Sequence, residues 1–422
     1  MNIDGKRIGL ALSGGGYRAA AYHIGTLRAL HKLGILDKLD VISSVSGGSI
    51  TSAYYVQNKE KGYEIFEKEF ISKLKHGVLC GAITEFLLIF ALCLTLMILC
   101  GCWAILILAV FLFILWYYVF PISCFIKKSY DKAFFKGISL DEMPQEPILA
   151  INATDLSTGN QFTFSQDRMT CYPYKNKLAF KTVGFPVAKA VMASSCIPQI
   201  FSPIKLSDKY VEGEIKTKPL LVDGGIYDNQ GAHKFNSSDS FFAVDYAIVS
   251  DAGNTQISSK KCINPIMTLL TTADILMKRI KNFQRQHNSY IPDNKKKTLY
   301  AYTDLMWTAY EEFPMRFVMN IKNGYIPKIV LDTHGITDDM LLRLKEEKTS
   351  KKAVDEVLYL IQKNIGWDEL LKRVPQNHSI AAKVSTGLVG LNKKEINALI
   401  EHSEWMTEVQ VRMHLPFLLK NN

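Results

Sequence analysis

The period of apolar and polar positions changes along this chain, and the changes mark its elements. Arg7 to Leu12 is a short apolar run that predicts a buried strand. It leads into Ser13-Gly14-Gly15-Gly16-Tyr17-Arg18. Beyond this turn Ala20, Ile24, Leu27 and Leu30 keep helical spacing to about Leu33, and Gly34 fits the C-terminal cap. Val41 to Val45 predicts a second strand. It ends in Ser46-Gly47-Gly48-Ser49, followed by a helix-compatible run from Ile50 to Gln57. A chain that begins strand, glycine turn, helix, strand, serine turn, helix implies a parallel sheet with helices on its faces. Ligand sites in such sheets form at the carboxyl ends of strands, where both unusual turns fall.

The pattern then breaks. Phe86 to Ile126 contains no charged residue, and Phe86 to Phe120 is almost wholly apolar. A buried helix of a globular domain is rarely so long or so uniform, so this stretch predicts membrane contact. As one straight helix it would span about 50 Å against roughly 30 Å of hydrocarbon, so two segments broken near Gly101-Cys102 fit better. Lys73, Lys75 and His76 precede it, and Lys127, Lys128 and Lys132 follow it. Basic flanks at both ends predict that both stay on the cytoplasmic side. A re-entrant hairpin or a self-association surface would show the same pattern.

Strand signals resume at Ile148 to Asn152 and at Phe162-Thr163-Phe164. A short helix is expected from Pro186 to Ala193, and a strand at Leu220-Leu221-Val222 running into Asp223-Gly224-Gly225. Phe241 to Val244 and Ala247 to Ser250 are further strand candidates. From about Asn254 the chain reads as mainly helical, with charged helices near 337–349 and 351–364. Lys328 to Leu331 is strand-like, and a last helix is expected from Asn392 to His402. The resulting organisation is an α/β domain in two parts, 1–72 and 129–255, split by a hydrophobic membrane-inserting hairpin at 73–128. A mainly helical region at 256–422 packs on that domain.

Charge and cysteines alter this picture only slightly. Fifty basic against 40 acidic residues give a formal charge of +10, which suits an anionic surface. With no zinc-finger spacing and no arginine-rich arm, lipid headgroups fit better than nucleic acid. The eight cysteines form no Cys-x-x-Cys pair and no regular framework, so free thiols in a reducing compartment are expected. Met1 to Lys6 has no signal-peptide character, which again favours the cytoplasmic side.

Three strand-end motifs carry candidate chemistry. Ser44-Val45-Ser46-Gly47-Gly48 has the layout of a nucleophile elbow, with Ser44 where the first glycine of G-x-S-x-G would stand. A serine nucleophile needs a base and donors for the oxyanion. Gly14, Gly15 and Gly16 can turn backbone N–H groups into one concavity, and Arg18 adds charge nearby. Asp223, followed by two glycines, is open to close approach and can act as the base. Each motif alone also describes an ordinary turn. His23, His31 and His233 could each complete a triad, but none lies in a catalytic motif, and His23 and His31 fit an exposed helix face. Gly14-x-Gly16-x-x-Ala19 also satisfies the loose dinucleotide pattern. The ribose-binding acid should then end the second strand, whereas Asp37 and Asp40 precede it. No cluster has metal-ligand spacing.

Taken in order, Gly-Gly-Gly-x-Arg, Ser-Val-Ser-Gly-Gly and Asp-Gly-Gly resemble the motifs of the patatin-like phospholipases. The chain looks like a bacterial-type member with a hydrophobic insert. The likeness covers roughly 6–255 without the insert. It extends to Ala193-Ser194-Ser195-Cys196-Ile197-Pro198, to Val222 through Asn229, and to Leu391-Asn392-Lys393-Lys394-Glu395 before the last helix. The resemblance implies a three-layer α/β fold with a mainly parallel central sheet, interrupted here by the hydrophobic helical insertion. It implies Ser46 as nucleophile, Asp223 as base, Gly14 to Gly16 with Arg18 as oxyanion region, and no metal or cofactor. The expected activity is acyl-ester hydrolysis of membrane phospholipids by a Ser–Asp dyad. A transacylase using the same dyad, or a catalytically idle lipid-binding scaffold, is the alternative. Oligomeric state is not readable from these patterns. A dyad requires residues 46 and 223 on one side of the bilayer, so the insert crosses an even number of times or not at all.

Overall fold

The computed structural model describes residues 5–419 apart from 172–177, 199–200, 212–217, 237–240, 254–264, 291–297 and 347–349. Between 79 and 121 it describes only Gly81, Thr84, Leu87, Leu88, Ala91, Leu92, Thr95 and Ile107. The apolar run Ile8–Leu12 forms β1. The glycine turn after it opens α1 (Gly16–Lys32), and Val41–Val45 forms β2, which runs into α2 (Gly47–Asn58). α3 (Tyr63–Leu74) leads to the insert, and α4 (Ile122–Tyr130) returns from it. Then come β3 (Ile148–Asp155), β4 (Asn160–Phe164), β5 (Met169–Cys171) and β6 (Leu178–Phe180). After α5 (Val187–Ser194) come β7 (Ile204–Lys205), β8 (Leu220–Asp223), the single turn α6 (Gly225–Asp228) and β9 (Tyr246–Asp251).

The order β10-β9-β1-β2-β3-β4-β5-β6 gives one sheet, with β10 formed by Leu299–Asp304. It is parallel from β10 to β3 and antiparallel from β3 to β6. Side chains alternate between its faces. Leu10, Leu12, Ile42 and Ile248 join the large core under α1, α2 and α5. Ala11, Val41, Ala247 and Val249 face the other way, onto Ala232, Phe235, Phe242 and Val244. Phe241 to Val244 is therefore a buried cover on the sheet rather than a strand; its apolar run serves packing and not pairing.

The last third is more than an appendage. It contributes the edge strand β10 and a 26-residue helix, α7 (Pro265–Tyr290). Helices α8 (Phe313–Lys322), α9 (Lys328–His334), α10 (Asp338–Lys345), α11 (Ser350–Ile365), α12 (Trp367–Lys372) and α13 (His378–Lys383) follow. α14 (Lys393–His414) then closes on α1. Lys328 to Leu331 is helical, not a strand: Pro327 starts the turn and Gly335 ends it in the left-handed region, at φ 74°. α14 runs 12 residues beyond the expected His402, because its Trp405, Met406, Val409 and Met413 anchor a second core with α8 to α12.

The ends of the expected insert belong to the folded core. Leu74, Val78, Ser123 and Ile126 are buried, so the domain reaches into 73–78 and 122–128. The described residues between these ends are helical, and Leu87, Leu88, Leu92 and Ile107 are exposed. Among the described residues no helix is long and apolar enough to cross a membrane. The break expected near Gly101-Cys102 lies outside them. No disulfide joins Cys124, Cys171 or Cys196.

Candidate active site

Strand β3 brings the two halves of the site together. Up to Asn152 it is paired on one side by parallel β2, with Val45 opposite Asn152. From Ala153 on, antiparallel β8 takes over, with Asp223 opposite Ala153. The two partners therefore run toward each other along one splint, and their carboxyl ends meet at successive residues of β3. Ser46 and Asp223 are the residues at that meeting point. Both are buried, each with 8% of its surface left open.

Ser46 sits at φ 50° and ψ −116°, a conformation that L-residues rarely adopt. Such a turn costs about 1–3 kcal/mol and persists only where its surroundings enforce it. Three contacts do so. The Ser46 amide donates to Ser194 Oγ at 2.9 Å, Ser49 Oγ lies 2.9 Å from the same oxygen, and Ser194 Oγ donates to the Asn152 carbonyl at 2.6 Å. One hydroxyl thus spends its proton and both lone pairs fixing the elbow to β3. A Cβ on Gly47 would stand 2.1 Å from the Gly16 carbonyl oxygen, so only glycine lets the elbow touch the glycine loop. Ser44, where a glycine is usual, fits in β2 because its Oγ accepts from Ser52 Oγ of α2 at 2.7 Å. Ser194→Ala removes the acceptor of the Ser46 amide and a donor to the Asn152 carbonyl. It is expected to cost about 1–3 kcal/mol in urea unfolding.

Burial raises the Asp223 carboxyl to about 6, while the Gly225 amide and the Ser46 hydroxyl pull it back. The Gly225 amide donates to Asp223 Oδ1 at 2.7 Å. The Asp223 amide donates to the Cys196 carbonyl at 2.8 Å, and the Asp223 carbonyl accepts from Thr154 Oγ1 at 2.9 Å. The carboxylate is thereby held beside the serine hydroxyl.

The glycine loop is more specialised than its sequence suggests. The Gly14 amide is occupied, donating to the Asn229 carbonyl at 3.0 Å, and the Tyr17 amide donates to Gly387 at 2.8 Å. Among the described residues the amides of Gly15, Gly16 and Gly47 have no such acceptor. Arg18 is 4% exposed and grips backbone: Nε donates to the Ala252 carbonyl at 3.0 Å and Nη1 to Val384 at 3.3 Å. Burial brings it down to about 10, against the fields of Asp251 and Asp274. It lies against Gly15 as a clamp on the loop.

His23, His31 and His233 find partners other than Ser46 and Asp223. His23 is not on an exposed face; it is fully buried, with Nδ1 2.8 Å from Ser250 Oγ and Nε2 2.9 Å from the Ser13 carbonyl. Burial lowers it to about 4, so it is a neutral brace under the loop. His31 pairs with Glu64 at 3.3 Å, and His233 lies 3.5 Å from the Tyr227 hydroxyl. Among the described residues no group of three acids, histidines or cysteines could hold a metal. The bracing roles of Ser194 and Asn152, and the contact of Gly387 and Val384 with the loop, depend on pairings far apart in sequence. Only the motif around Ser194 offered a signal for them. A cavity of about 400 Å³ lies elsewhere, lined by Trp307, Phe313, Phe317 and Met413 among others.

A glycine loop, a strained serine and a buried aspartate thus meet on one α/β sheet. The patatin-like phospholipase family model matches residues 10–235, and the chain belongs to that family. No curated protein sequence matches it. Among solved structures it is similar to human GIVD cytosolic phospholipase A2, with a TM-score of 0.52 and 12% identity over 99% of this chain and 63% of that one. The chain thus spans less than two thirds of that protein. The same human enzyme in complex with methyl gamma-linolenyl fluorophosphonate gives a TM-score of 0.49 and 14% identity, over 98% of this chain and 60% of that chain. VipD from Legionella pneumophila gives 0.28 and 12%, over 95% and 91%. The first of these likenesses speaks to the fold.

Proposed function

We propose that the chain hydrolyses acyl esters of membrane glycerophospholipids, as a phospholipase A or lysophospholipase, through a Ser46–Asp223 dyad. The observation that carries this reading is the meeting of β2 and β8 on β3, which sets a strained serine against a carboxylate. Ser46 Oγ attacks the acyl carbonyl carbon as its proton passes to Asp223. The amides of Gly15, Gly16 and Gly47 are the candidate donors to the oxyanion. Collapse expels the alcohol, which takes the proton from Asp223 and leaves an acyl-Ser46 ester. Water then attacks this ester, again giving its proton to Asp223; the bond between the acyl carbon and Ser46 Oγ breaks, Oγ takes that proton back, and the fatty acid departs. The exposed apolar residues of the insert and its basic flanks support anchorage at the cytoplasmic face of a bilayer, with both ends of the insert on that side.

A fluorophosphonate probe is expected to label the detergent-solubilised protein, and Ser46→Ala is expected to abolish the label. A folded protein that takes up no label would instead be an idle lipid-binding scaffold. The pH profile offers a separate check. Because Asp223 must be ionised to accept a proton, kcat/KM should fall about tenfold per pH unit below an acid limb near 6. A profile flat from pH 5 to 7 would remove Asp223 as the base.

A further inference from the structure

α7 presents an unusual outer face. Leu269, Leu276 and Phe283 recur every seven residues and are 57%, 54% and 69% exposed. Two helical turns, about 10.5 Å, separate each from the next, so they form one stripe along the helix. Ile275 and Met267 are also exposed beside it. A contiguous apolar stripe of this kind is unfavourable in water and, unlike scattered single residues, marks an interaction surface.

The helix is held with this face outward by charges on its inner side. Lys281 Nζ lies 2.9 Å from Asp251 Oδ2 and 2.8 Å from Asp304 Oδ2, and all three side chains are buried. Arg285 Nη1 is 3.4 Å from Asp304 and its guanidinium lies over Trp307. Asp251 and Asp304 end β9 and β10, so the lysine bolts α7 across the carboxyl ends of the sheet. There α7 packs on α6, which starts two residues after Asp223, and its Asp274 acts on Arg18 of the glycine loop. The insert is rooted at the same rim: Leu388 to Gly390 covers Gly77, while Gly387 covers Gly16.

We infer that the Leu269–Leu276–Phe283 face of α7 seats on an anionic lipid bilayer and sets the mouth of the Ser46–Asp223 site against the membrane surface. Charge selects this occupant. α7 carries one acid, Asp274, against Lys278, Arg279, Lys281 and Arg285, and exposed Arg279 lies between Leu276 and Phe283. Apolar side chains enter the interface while Arg279 meets headgroup phosphate. The inference rests on the proposed acyl-ester reading, and the test separates the two.

The full chain is diluted from detergent into phosphatidylcholine vesicles with or without phosphatidylglycerol, and phospholipid hydrolysis is compared with hydrolysis of a soluble short-chain ester. Leu276→Asp with Phe283→Asp is expected to lower vesicle hydrolysis by about a hundredfold, near tenfold per residue, with the soluble ester unaffected. Tyr359→Asp, an equally exposed aromatic on α11, should change neither. Phosphatidylglycerol should raise wild-type vesicle hydrolysis, and Arg279→Gln should remove most of that gain. Unchanged vesicle hydrolysis in the double variant would overturn the inference. So would a wild-type dimer that the double variant converts to monomer in sedimentation velocity, which assigns the face to a second copy. Failure of the wild type on both substrates would overturn the acyl-ester reading itself.

Discussion

Asp223→Asn is expected to lower acyl-ester hydrolysis by about three orders of magnitude and, at the same time, to stabilise the protein. The first effect follows from losing the carboxylate that the structure sets beside Ser46. The second follows from linkage. Burial pushes the Asp223 carboxyl from its ordinary 3.8 up to about 6, so the native state holds its proton more tightly than the unfolded chain. Unfolding free energy therefore falls as pH rises from about 3.8 to 6 and stays lowered above it. The difference corresponds to about 3 kcal/mol at pH 7 to 8. Asparagine keeps an oxygen for the Gly225 amide and carries no charge, so the variant should gain up to that amount at pH 8 and nothing below pH 3.8. Urea titrations of both proteins at the two ends of this range check it. Equal stability at pH 8 would mean that the carboxylate is not strained by burial.

A second large effect is expected at Gly25, midway along α1. A Cβ there would lie 2.1 Å from the Ile400 carbonyl oxygen and 2.1 Å from Ser403 Oγ. At this crossing α1 and α14 touch backbone to backbone, with Ser403 Oγ donating to the Tyr22 carbonyl and Thr407 Oγ1 to Thr26 Oγ1. Gly25→Ala is expected to cost about 1–3 kcal/mol, and Gly25→Leu to exceed the stability of the fold. Loss of the cooperative thermal transition by circular dichroism would report it. Because α1 begins at the glycine loop, labelling of Ser46 should vanish with the fold. A helical region merely laid on a finished domain would tolerate the change.

That dependence explains which parts of the molecule were legible in the sequence. β1, α1, β2 and α2 announce themselves locally, because buried parallel strands are apolar runs and the turns after them must be small. β10 gives a weaker signal. Leu299-Tyr300-Ala301-Tyr302-Thr303-Asp304 follows Lys295-Lys296-Lys297, and its place at the sheet edge comes from pairing with β9 rather than from its own apolarity. The short strands β5 and β6 are set by antiparallel neighbours in the same way. His23 looked external because it is polar on a helix; both ring nitrogens find partners, Ser250 and Ser13, from other elements. At the site, the residue types at 14–16, 46 and 223 were readable. The occupied Gly14 amide and the clamping role of Arg18 were not, since their partners at 229, 252 and 384 are fixed by the fold.

The grip of Arg18 on Val384 spans 366 residues. On a ribosome adding roughly 5–20 residues per second, the loop waits from some 20 seconds to more than a minute for that partner. The apolar insert emerges early in this interval, before Asp223 exists. A growing chain can therefore commit its hydrophobic segment while Ser46 has no Asp223 beside it and its loop no clamp. Birth order itself leaves the glycine loop unclamped until Val384 has emerged, long after the insert.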